Sequence, residues 1–262
     1  SLYIHIPWCV KKCPYCDFNS HQIKSPIPEG KYIDKLLQDA KSEVTNIHNR
    51  KIHSIFIGGG TPSILSKDAI HKLLTTLKHI FPLKKNIEIT LESNPSSFEE
   101  KKIESYCEAG INRISLGIQS FQDNLLTHIG RIHNKKEAIS AIKTIQNIGA
   151  IKLNLDIMYG LPRQTINSAL KDISQALEYE IDHLSWYQMT LEPNTLFYIK
   201  RPKQLPTMNT IIKMHLKGHN LIKAANLQQY EVSSYARRNQ ESQHNLNYWQ
   251  FGDYIGIGAG AH

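Results

Sequence analysis

The sequence lacks the long apolar runs and the opening segment that mark membrane-spanning and secreted chains. It has no window of eighteen apolar residues and no charged segment followed by an apolar one at its start. Cysteine is scarce too, at four in 262 residues, which is too few for the disulfide framework of a small secreted domain. These absences predict a soluble, cytoplasmic protein whose cysteines stay reduced.

Two further absences bear on ligands. The chain has a formal net charge of +8, but its lysines are scattered and form no basic stripe with interleaved aromatic residues. A basic balance could serve nucleic acid, an anionic membrane surface or an acidic molecule such as a porphyrin, and the scatter favours a solvated surface. We therefore expect no nucleic-acid partner. The GxGxxG spacing of dinucleotide-binding proteins is also missing.

Three of the four cysteines are concentrated near the start of the chain. Cys9, Cys13 and Cys16 have the spacing CxxxCxxC and follow a short apolar strand, Leu2 to Ile6. The spacing predicts that the three thiolates converge at the end of that strand. An iron–sulfur cluster usually has four cysteine ligands, so three ligands leave one position open, and an open position is typical of metal sites that carry out chemistry.

The alternative is a structural zinc site, which normally needs four Cys or His ligands. His5 and His21 could complete such a site. The remaining cysteine, Cys107, lies in a helical pattern from Phe98 to Ala109, where a buried, inert thiol is expected.

Helical and strand patterns alternate through most of the chain. Helices are predicted at Lys31–Asn49, Lys67–Ile80, Phe98–Ala109, Lys135–Ile148, Ile166–Glu180 and Thr207–Asn226, and strands at Leu2–Ile6, Ile52–Ile57, Ile87–Glu92, Arg113–Gln119, Ile151–Tyr159 and His183–Met189. Regular alternation indicates parallel strands joined by crossover helices. Six strands are too few for a closed eight-stranded barrel, so we predict an α/β fold with a partial (β/α)6 barrel.

Three of these strands alternate strictly between apolar and polar residues. Parallel strands buried on both faces normally read as continuous apolar runs. The polar positions are Glu88, Thr90, Glu92, Arg113, Ser115, Gln119, Asn154 and Asp156. Because buried polar groups are costly unless they are paired, this pattern predicts a wide, polar lumen; strands at a solvated sheet edge are the alternative.

Function in a βα fold collects at the carboxyl ends of the strands. The candidates there are Tyr3, the glycine run Gly58 to Pro62, Glu92, Gln119 and Asp156. Successive glycines let the backbone approach a ligand closely, although a tight turn without a ligand has the same composition.

Together these motifs resemble the radical S-adenosylmethionine (SAM) proteins. The resemblance extends nearly continuously from Tyr3 to the end of the chain. The strings Tyr3-Ile4-His5-Ile6-Pro7-Trp8, Ser115-Leu116-Gly117-Ile118-Gln119-Ser120-Phe121 and Asp156-Ile157-Met158-Tyr159-Gly160-Leu161-Pro162 are similar to those of the oxygen-independent coproporphyrinogen III oxidase branch.

The resemblance implies a 4Fe-4S cluster on the three cysteines, with SAM bound to its open iron. The implied SAM contacts are Tyr3, Gly59, Gly60, Thr61, Glu92, Gln119, Arg131 and Asp156, with Tyr15 beside the adenine. Residue chemistry agrees, since a carboxylate suits ribose hydroxyls and an arginine suits a carboxylate group.

One departure within the branch bears on the reaction. The oxidase loop resembles CxxxCxxCxC, but here Phe18 occupies the fourth position. The loop instead resembles that of HemW-type heme chaperones, which implies heme binding and transfer to respiratory membrane proteins. Oxidative decarboxylation of coproporphyrinogen III is the alternative function.

A late motif, His244-Asn245-Leu246-Asn247-Tyr248-Trp249, supports the chaperone hypothesis. Heme iron takes an axial imidazole, and the macrocycle takes aromatic walls, so His244, Tyr248 and Trp249 are candidate heme contacts. Arg237 and Arg238 could meet the propionates. A surface histidine beside core aromatics is the alternative interpretation.

We predict a division into residues 1–190, the barrel, and residues 191–262, the beginning of a C-terminal extension over the barrel mouth. The resemblance also implies a further C-terminal domain that this sequence does not contain. The implied partners are heme or another porphyrin, respiratory heme-protein clients, the membrane surface, an electron donor and a second copy of the chain in a homodimer.

Overall fold

The computed structural model describes residues 1–96, 102–149 and 151–261. The strands are β1 Leu2–Ile6, β2 Trp8–Cys9, β3 His21–Gln22, β4 Ile52–Gly59, β5 Leu83–Ser93, β6 Arg113–Gln119, β7 Lys152–Tyr159, β8 His183–Gln188, β9 Gln228–Gln229, β10 Ser234–Ala236 and β11 Ile255–Ile257. The α-helices are α1 Glu29–Ser42, α2 Lys67–Ile80, α3 Ile103–Ala109, α4 Asp123–His128, α5 Lys135–Ile148, α6 Ile166–Leu177, α7 Leu196–Ile199, α8 Met208–Ala224 and α9 Gln243–Trp249. Short 3-10 helices span Val44–Ile47 and Pro62–Ile64.

Nine of the strands form one sheet in the order β11-β1-β4-β5-β6-β7-β8-β10-β9, and β2 and β3 form a separate pair. The six predicted strands, β1 and β4 to β8, are neighbours in this order and run parallel, which confirms the α/β fold. The sheet gains β11 parallel to β1 at one edge and β10 antiparallel to β8 at the other. Within the described residues, its two ends do not pair, so the barrel is partial.

The helices begin where capping side chains allow them to begin. The Ser66 hydroxyl accepts a hydrogen bond from the Ala69 N–H at 3.2 Å and caps α2, and Asn134 with Glu137 forms a capping box at the start of α5. Both helices have the predicted bounds. Each buries one apolar stripe against the sheet, and every fully buried Leu or Ile contributes about 1.5–3 kcal/mol.

Other boundaries differ from the prediction. The first helix ends at Ser42, not Asn49, because the chain turns through a 3-10 helix and two left-handed residues, His48 and Asn49. Strand β5 begins at Leu83, four residues earlier than predicted. The predicted helix from Phe98 starts outside the described residues, and its described part is α3.

The predicted elements end with the helix to Asn226, but the chain beyond it contains β9, β10 and α9 as well as β11. The strands there are two or three residues long and α9 has seven residues, so neither has room for the repeats that periodicity detects. Among the helices of the described residues, none combines the length and the hydropathy required to cross a bilayer.

Candidate functional site

The carboxyl ends of the parallel strands open into a cavity of about 710 Å³. Of the predicted site residues, it is lined by Cys9, Cys13, Tyr15, Cys16, Gly59, Gly60, Thr61, Glu92, Gln119, Arg131, Asp156, Tyr248 and Trp249. Tyr3 and His244 do not line it. The structure therefore brings together side chains that lie up to 240 positions apart in the sequence.

The cysteine loop lies at one side of this cavity. Cys9 ends β2 and is 8% exposed, while Cys13 and Cys16 sit on a turn in which the Cys16 N–H donates to the Cys13 carbonyl at 3.1 Å. Burial raises the pKa of Cys9 and of Cys16, and hydrogen bonds from the Ser20 hydroxyl partly offset the rise at both thiols. The Arg131 guanidinium donates to Cys13 Sγ at 3.7 Å. This environment presents three thiols and one cation to the same space.

The zinc alternative finds little support in the histidines. His5 is 3% exposed and its two ring nitrogens contact the Tyr3 hydroxyl at 3.0 Å and the Asn19 carbonyl at 2.8 Å, while His21 is exposed. Among the described residues, no three His, Cys, Asp or Glu side chains gather around a single-ion position. A 4Fe-4S cluster has a different requirement, because each cysteine binds a different iron atom.

The glycine turn after β4 packs directly against the cysteine loop. Gly59 has φ 108°, and a Cβ there would lie 2.6 Å from the His5 ring; a Cβ on Gly60 would lie 2.5 Å from the Trp8 carbonyl. The Gly60 N–H donates to the Ile6 carbonyl at 2.7 Å. Only glycine fits these two positions, so the turn serves close packing as well as backbone access to the cavity.

Two partly buried carboxyl groups, Glu92 and Asp156, line the cavity. Burial, reinforced by the neighbouring Asp156, raises the pKa of Glu92 to about 8, and the Gly59 N–H donates to its carboxyl at 3.1 Å. Burial also raises the pKa of Asp156, which accepts hydrogen bonds from Ser115 Oγ at 2.9 Å and Asn154 Nδ2 at 2.8 Å. Two such neighbours favour a ligand that supplies donors or positive charge.

Arg131 has hydrogen-bonding capacity that the protein does not use. Its Nη2 donates to the Gly117 carbonyl at 2.6 Å and to Asn94 Oδ1 at 2.5 Å, but its buried Nε has no partner among the described residues. Asn94, which was not among the predicted site residues, also donates from Nδ2 to Thr61 Oγ1 at 3.0 Å. Its position just after β5, at the edge that carries the other candidates, was the available signal.

Gln119 has a left-handed backbone conformation, and the two residues after it are hydrogen-bonded to a buried aspartate, Asp172. Gln119 has φ 67°, a left-handed conformation, and its Oε1 accepts a hydrogen bond from the Tyr187 hydroxyl at 2.8 Å. Immediately after it, Ser120 Oγ and the Phe121 N–H donate to the Asp172 carboxyl at 2.8 and 2.9 Å. Asp172 is fully buried on α6. An acid on the apolar stripe of a predicted helix was the sequence signal for it.

Tyr3 and His244 lie deeper in the lumen, below the cavity. The His244 ring stacks on Phe56 at 5.0 Å between ring centroids, and its Nδ1 lies 3.4 Å from Ser54 Oγ. Its exposed fraction is 4%, and burial lowers the pKa of His244 to about 3. Tyr3 also stacks on Phe56, at 6.3 Å. The His244 ring contacts Tyr248 edge-on, at 5.1 Å between ring centroids, but only Tyr248 and Trp249 line the cavity.

The polar side chains predicted to face the lumen fall into two groups, one that lines the cavity and one that holds the backbone before α9. Glu88 and Arg113 pair at 3.0 Å, with side chains 6% and 1% exposed. Glu88 Oε1 accepts a hydrogen bond from the Gln243 N–H at 2.8 Å, and Arg113 Nη2 donates to the Gln240 carbonyl at 2.8 Å. These two residues therefore fix the start of α9 and do not face the cavity.

Arg237 and Arg238 do not reach the cavity. The Arg237 N–H donates to the Asp182 carbonyl at 2.9 Å, which places it beside the amino end of β8, and Arg238 is exposed. Because the cavity opens at the carboxyl ends of the strands, neither guanidinium can meet a propionate held there in this arrangement.

Comparison with known proteins gives consistent results. The sequence profile of the radical SAM superfamily matches residues 3–176. The chain is 53% identical to heme chaperone HemW of Haemophilus influenzae and 51% identical to that of Escherichia coli, in each case over all of this chain and 69% of the relative. Coproporphyrinogen III oxidase HemN from Escherichia coli has the same fold, with a TM-score of 0.86, 24% identity and coverage of 63% of its chain. On these matches, the chain belongs to the radical SAM superfamily and, within it, to the family of the HemW heme chaperones.

Proposed function

We propose that the protein binds heme as cargo and passes it to a recipient protein, with a 4Fe-4S cluster and SAM bound in the same cavity. The observation that carries this proposal is the lining of the 710 Å³ cavity, which joins the three cysteines and the glycine turn to the aromatic pair Tyr248 and Trp249. A cavity built only for SAM would not need that pair.

The superfamily implies a 4Fe-4S cluster and SAM. We assign the cluster to Cys9, Cys13 and Cys16, whose thiols border one space and leave one iron without a protein ligand. When bound, SAM would occupy that open iron and could supply an adenosyl radical if an electron were delivered. The donor set fits both groups, since soft thiolates suit iron and the unpartnered Arg131 Nε suits a carboxylate.

The same geometry supports the remaining proposed SAM contacts. The backbone of Gly59, Gly60 and Thr61 would meet the methionine amino group, and Glu92 and Asp156 would accept hydrogen bonds from ribose hydroxyls. Tyr15 packs beside a small apolar cluster that includes Met158, which would give the adenine ring an apolar wall. Tyr3 and Gln119 complete the proposed set, with Tyr3 acting from below the cavity.

For heme, the exposed aromatic rings at the cavity are the proposed contacts. Trp249 is 52% exposed, Tyr248 is 38% exposed, and Phe18, which also lines the cavity, is 56% exposed. These rings suit the apolar face of a macrocycle. For His244 to bind heme iron, α9 would have to leave its stack on Phe56 and its contacts with Glu88.

Heme titration of the anaerobically reconstituted protein, followed by its Soret absorbance, tests the proposal. We expect Trp249→Ala to weaken heme binding by about tenfold, the loss of roughly 1.4 kcal/mol of ring contact. Phe251→Ala is the matched control, because Phe251 is 96% exposed but does not line the cavity. Equal effects of the two variants would contradict the assigned heme site.

The axial role of His244 has its own test. His244→Phe keeps an aromatic ring on Phe56 but has no nitrogen for iron. We expect heme uptake to persist when Cys9, Cys13 and Cys16 are all replaced, and to fail in His244→Phe. Unchanged Soret and electron paramagnetic resonance spectra of heme-loaded His244→Phe would refute the ligand.

The rival function is oxidation of coproporphyrinogen III. It is tested in the same preparation by adding SAM, a reductant and coproporphyrinogen III. Formation of protoporphyrinogen would overturn the chaperone proposal.

The proposal also extends to the partners of the protein and to its location in the cell. We propose respiratory heme proteins as recipients, an electron donor for the cluster, a homodimer, and a cytoplasmic protein that works at the membrane surface. Pull-down of heme-loaded protein with apo-cytochrome subunits, read by transfer of the Soret band, tests the first of these.

A further inference from the structure

The surface after β8 has an unusual charge balance. Between Pro193 and Tyr230 the sequence has six lysine and arginine residues and neither aspartate nor glutamate. The whole chain carries a net charge of +8, so most of its excess positive charge resides in this stretch of 38 residues. Scattered surface lysines would be interspersed with acids, as they are in the rest of the chain.

The same stretch exposes apolar side chains on one helix face. Met208, Ile212 and Leu216 repeat every four residues along α8 and are 67%, 49% and 57% exposed. Such spacing places them in one stripe, and Lys213 and Lys217 lie along its flank. Monomeric proteins seldom leave an apolar stripe beside a basic one without a use for it.

The opposite face of α8 is fixed to the sheet. Gly218 packs so tightly on Trp186 that a Cβ there would lie 1.9 Å from the ring, and His215 Nδ1 lies 3.2 Å from the Tyr159 hydroxyl. The helix therefore cannot rotate to bury its exposed stripe without losing these contacts.

A second exposed apolar group precedes this helix. Leu196, Tyr198 and Ile199 of α7 are 54%, 58% and 73% exposed, whereas Phe197 between them is buried. The Phe197 N–H donates to the Pro14 carbonyl at 2.9 Å, which ties α7 to the cysteine loop. Lys200, Arg201 and Lys203 follow directly. The group thus lies at the cavity end of the barrel.

We infer that these residues form a docking surface for an anionic lipid bilayer. The surface, here called the basic apolar face, consists of Leu196, Tyr198, Ile199, Met208, Ile212 and Leu216 with Lys200, Arg201, Lys203, Lys213 and Lys217. Charge complementarity selects the occupant: the cations of this face belong to a stretch of sequence without acids and suit anionic headgroups, and the apolar side chains enter the region just below them. A tyrosine at that depth is typical of membrane interfaces.

This inference rests on the proposed work at the membrane surface and deepens it, because it assigns the face that docks and an orientation to the molecule. With α7 tied to Pro14, docking would hold the cysteine loop and the cavity near the headgroups. Heme that is exchanged with a membrane protein would then have only a short distance to travel between that protein and the cavity.

Vesicle co-sedimentation tests the basic apolar face directly. The wild-type chain is mixed with vesicles of phosphatidylglycerol and phosphatidylethanolamine, and in parallel with vesicles of phosphatidylcholine. We expect at least tenfold stronger partitioning onto the anionic vesicles, falling as salt rises. Removing two charges in Lys213→Gln/Lys217→Gln should weaken binding about 25-fold, at about fivefold for each lysine.

A matched control separates this face from general basicity. Lys31→Gln/Lys35→Gln removes two exposed lysines with the same spacing from α1 and should leave binding unchanged. Ile212→Ser/Leu216→Ser should weaken binding without any change in charge. Circular dichroism and the Soret titration without vesicles confirm that each variant folds and still binds heme.

Three outcomes would overturn the inference. The first is that folded wild type does not sediment with anionic vesicles, and the second is that it binds phosphatidylcholine vesicles equally well. The third is that the control and test lysine variants lose the same amount of binding. Self-association of the wild type that Ile212→Ser/Leu216→Ser abolishes, without vesicle binding, would assign the face to a protein interface. Because heme affinity is measured in solution, failure of the heme proposal would appear separately.

Discussion

The two ends of the barrel lumen are both polar, but their polar groups are used in opposite ways. At the amino ends of the strands, Glu88 and Arg113 bond to each other and to the backbone before α9. At the carboxyl ends, Glu92 has a raised pKa and Arg131 has an unpartnered Nε. A polar side chain that points into a barrel therefore does not by itself mark a site. Arg113 Nη1 also has no partner among the described residues, but Arg113 does not line the cavity, so the better indicator is unused hydrogen-bonding capacity on a residue that does, such as Arg131.

The largest expected effect on stability comes from breaking the ion pair at the amino ends of the strands. Glu88→Ala leaves the Arg113 guanidinium buried without its carboxylate, which should lower the free energy of unfolding by about 3–5 kcal/mol. Urea denaturation monitored by circular dichroism measures it. Asp34→Ala removes an exposed ion pair with Lys72 and should cost less than about 1 kcal/mol. Similar losses in both variants would show that the lumen pair is not specially stabilising.

At the cavity end, Glu92→Gln should raise the free energy of unfolding at neutral and alkaline pH, whereas Glu88→Ala lowers it. The folded-state pKa of Glu92 is raised to about 8 from an ordinary 4.5, so the folded protein retains a proton that the unfolded chain releases. Its contribution to stability therefore declines as pH rises from about 4.5 to about 8. Wild type should lose stability relative to Glu92→Gln across that range. Parallel urea profiles of the two proteins between pH 5 and 8 would contradict this.

The same substitution should weaken SAM binding. Replacing the proposed ribose acceptor by an amide should lower affinity by about tenfold, the value of one hydrogen bond at the upper end of the usual range. Isothermal titration of the cluster-loaded protein with SAM measures the change. Glu88→Ala, in its folded fraction, provides the contrast and should bind SAM as wild type does.

A smaller effect is expected at Asp172, which acts through Gln119. Asp172→Asn keeps the side-chain shape but weakens the bonds that fix the left-handed turn, so we expect about threefold weaker SAM binding. In a Gln119→Ala background the same change should have no further effect on affinity. Additive losses would mean that Asp172 supports stability only, since the cycle isolates the coupling between the two residues.

Much of the fold could be predicted because its elements carry strong local signals. The capping residues Ser66 and Asn134 define helix starts, and apolar periodicity located the six parallel strands. The segment after α8 could not be predicted in this way. Its short strands are specified by pairing with β1 and β8, and its helix is held by Glu88, contacts that join residues far apart in the sequence.

The sequence predicted which residues belong to the site better than it predicted how deep each one lies in the lumen. Motif spacing and strand ends identified the residues that line the cavity, and the resemblance to radical SAM proteins assigned their roles. Neither could show that His244 stacks beneath the cavity while Tyr248, four residues later, lines it. The two residues lie one turn apart on the same face of α9, so the rise of that turn decides which of them reaches the cavity, and the motif was not predicted to be helical.

The contact between the glycine turn and the cysteine loop has a thermodynamic consequence. The Gly60 and Thr61 N–H groups donate to the carbonyls of Ile6 and Trp8, so the two loops are ordered together. Free energy gained by ordering one loop is shared with the other, and the coupling must be reciprocal. With the proposed cluster on the thiols and the proposed SAM at the turn, loading one site would raise the affinity of the other, and a chain without its metal would reveal that defect as a weakened small-molecule affinity.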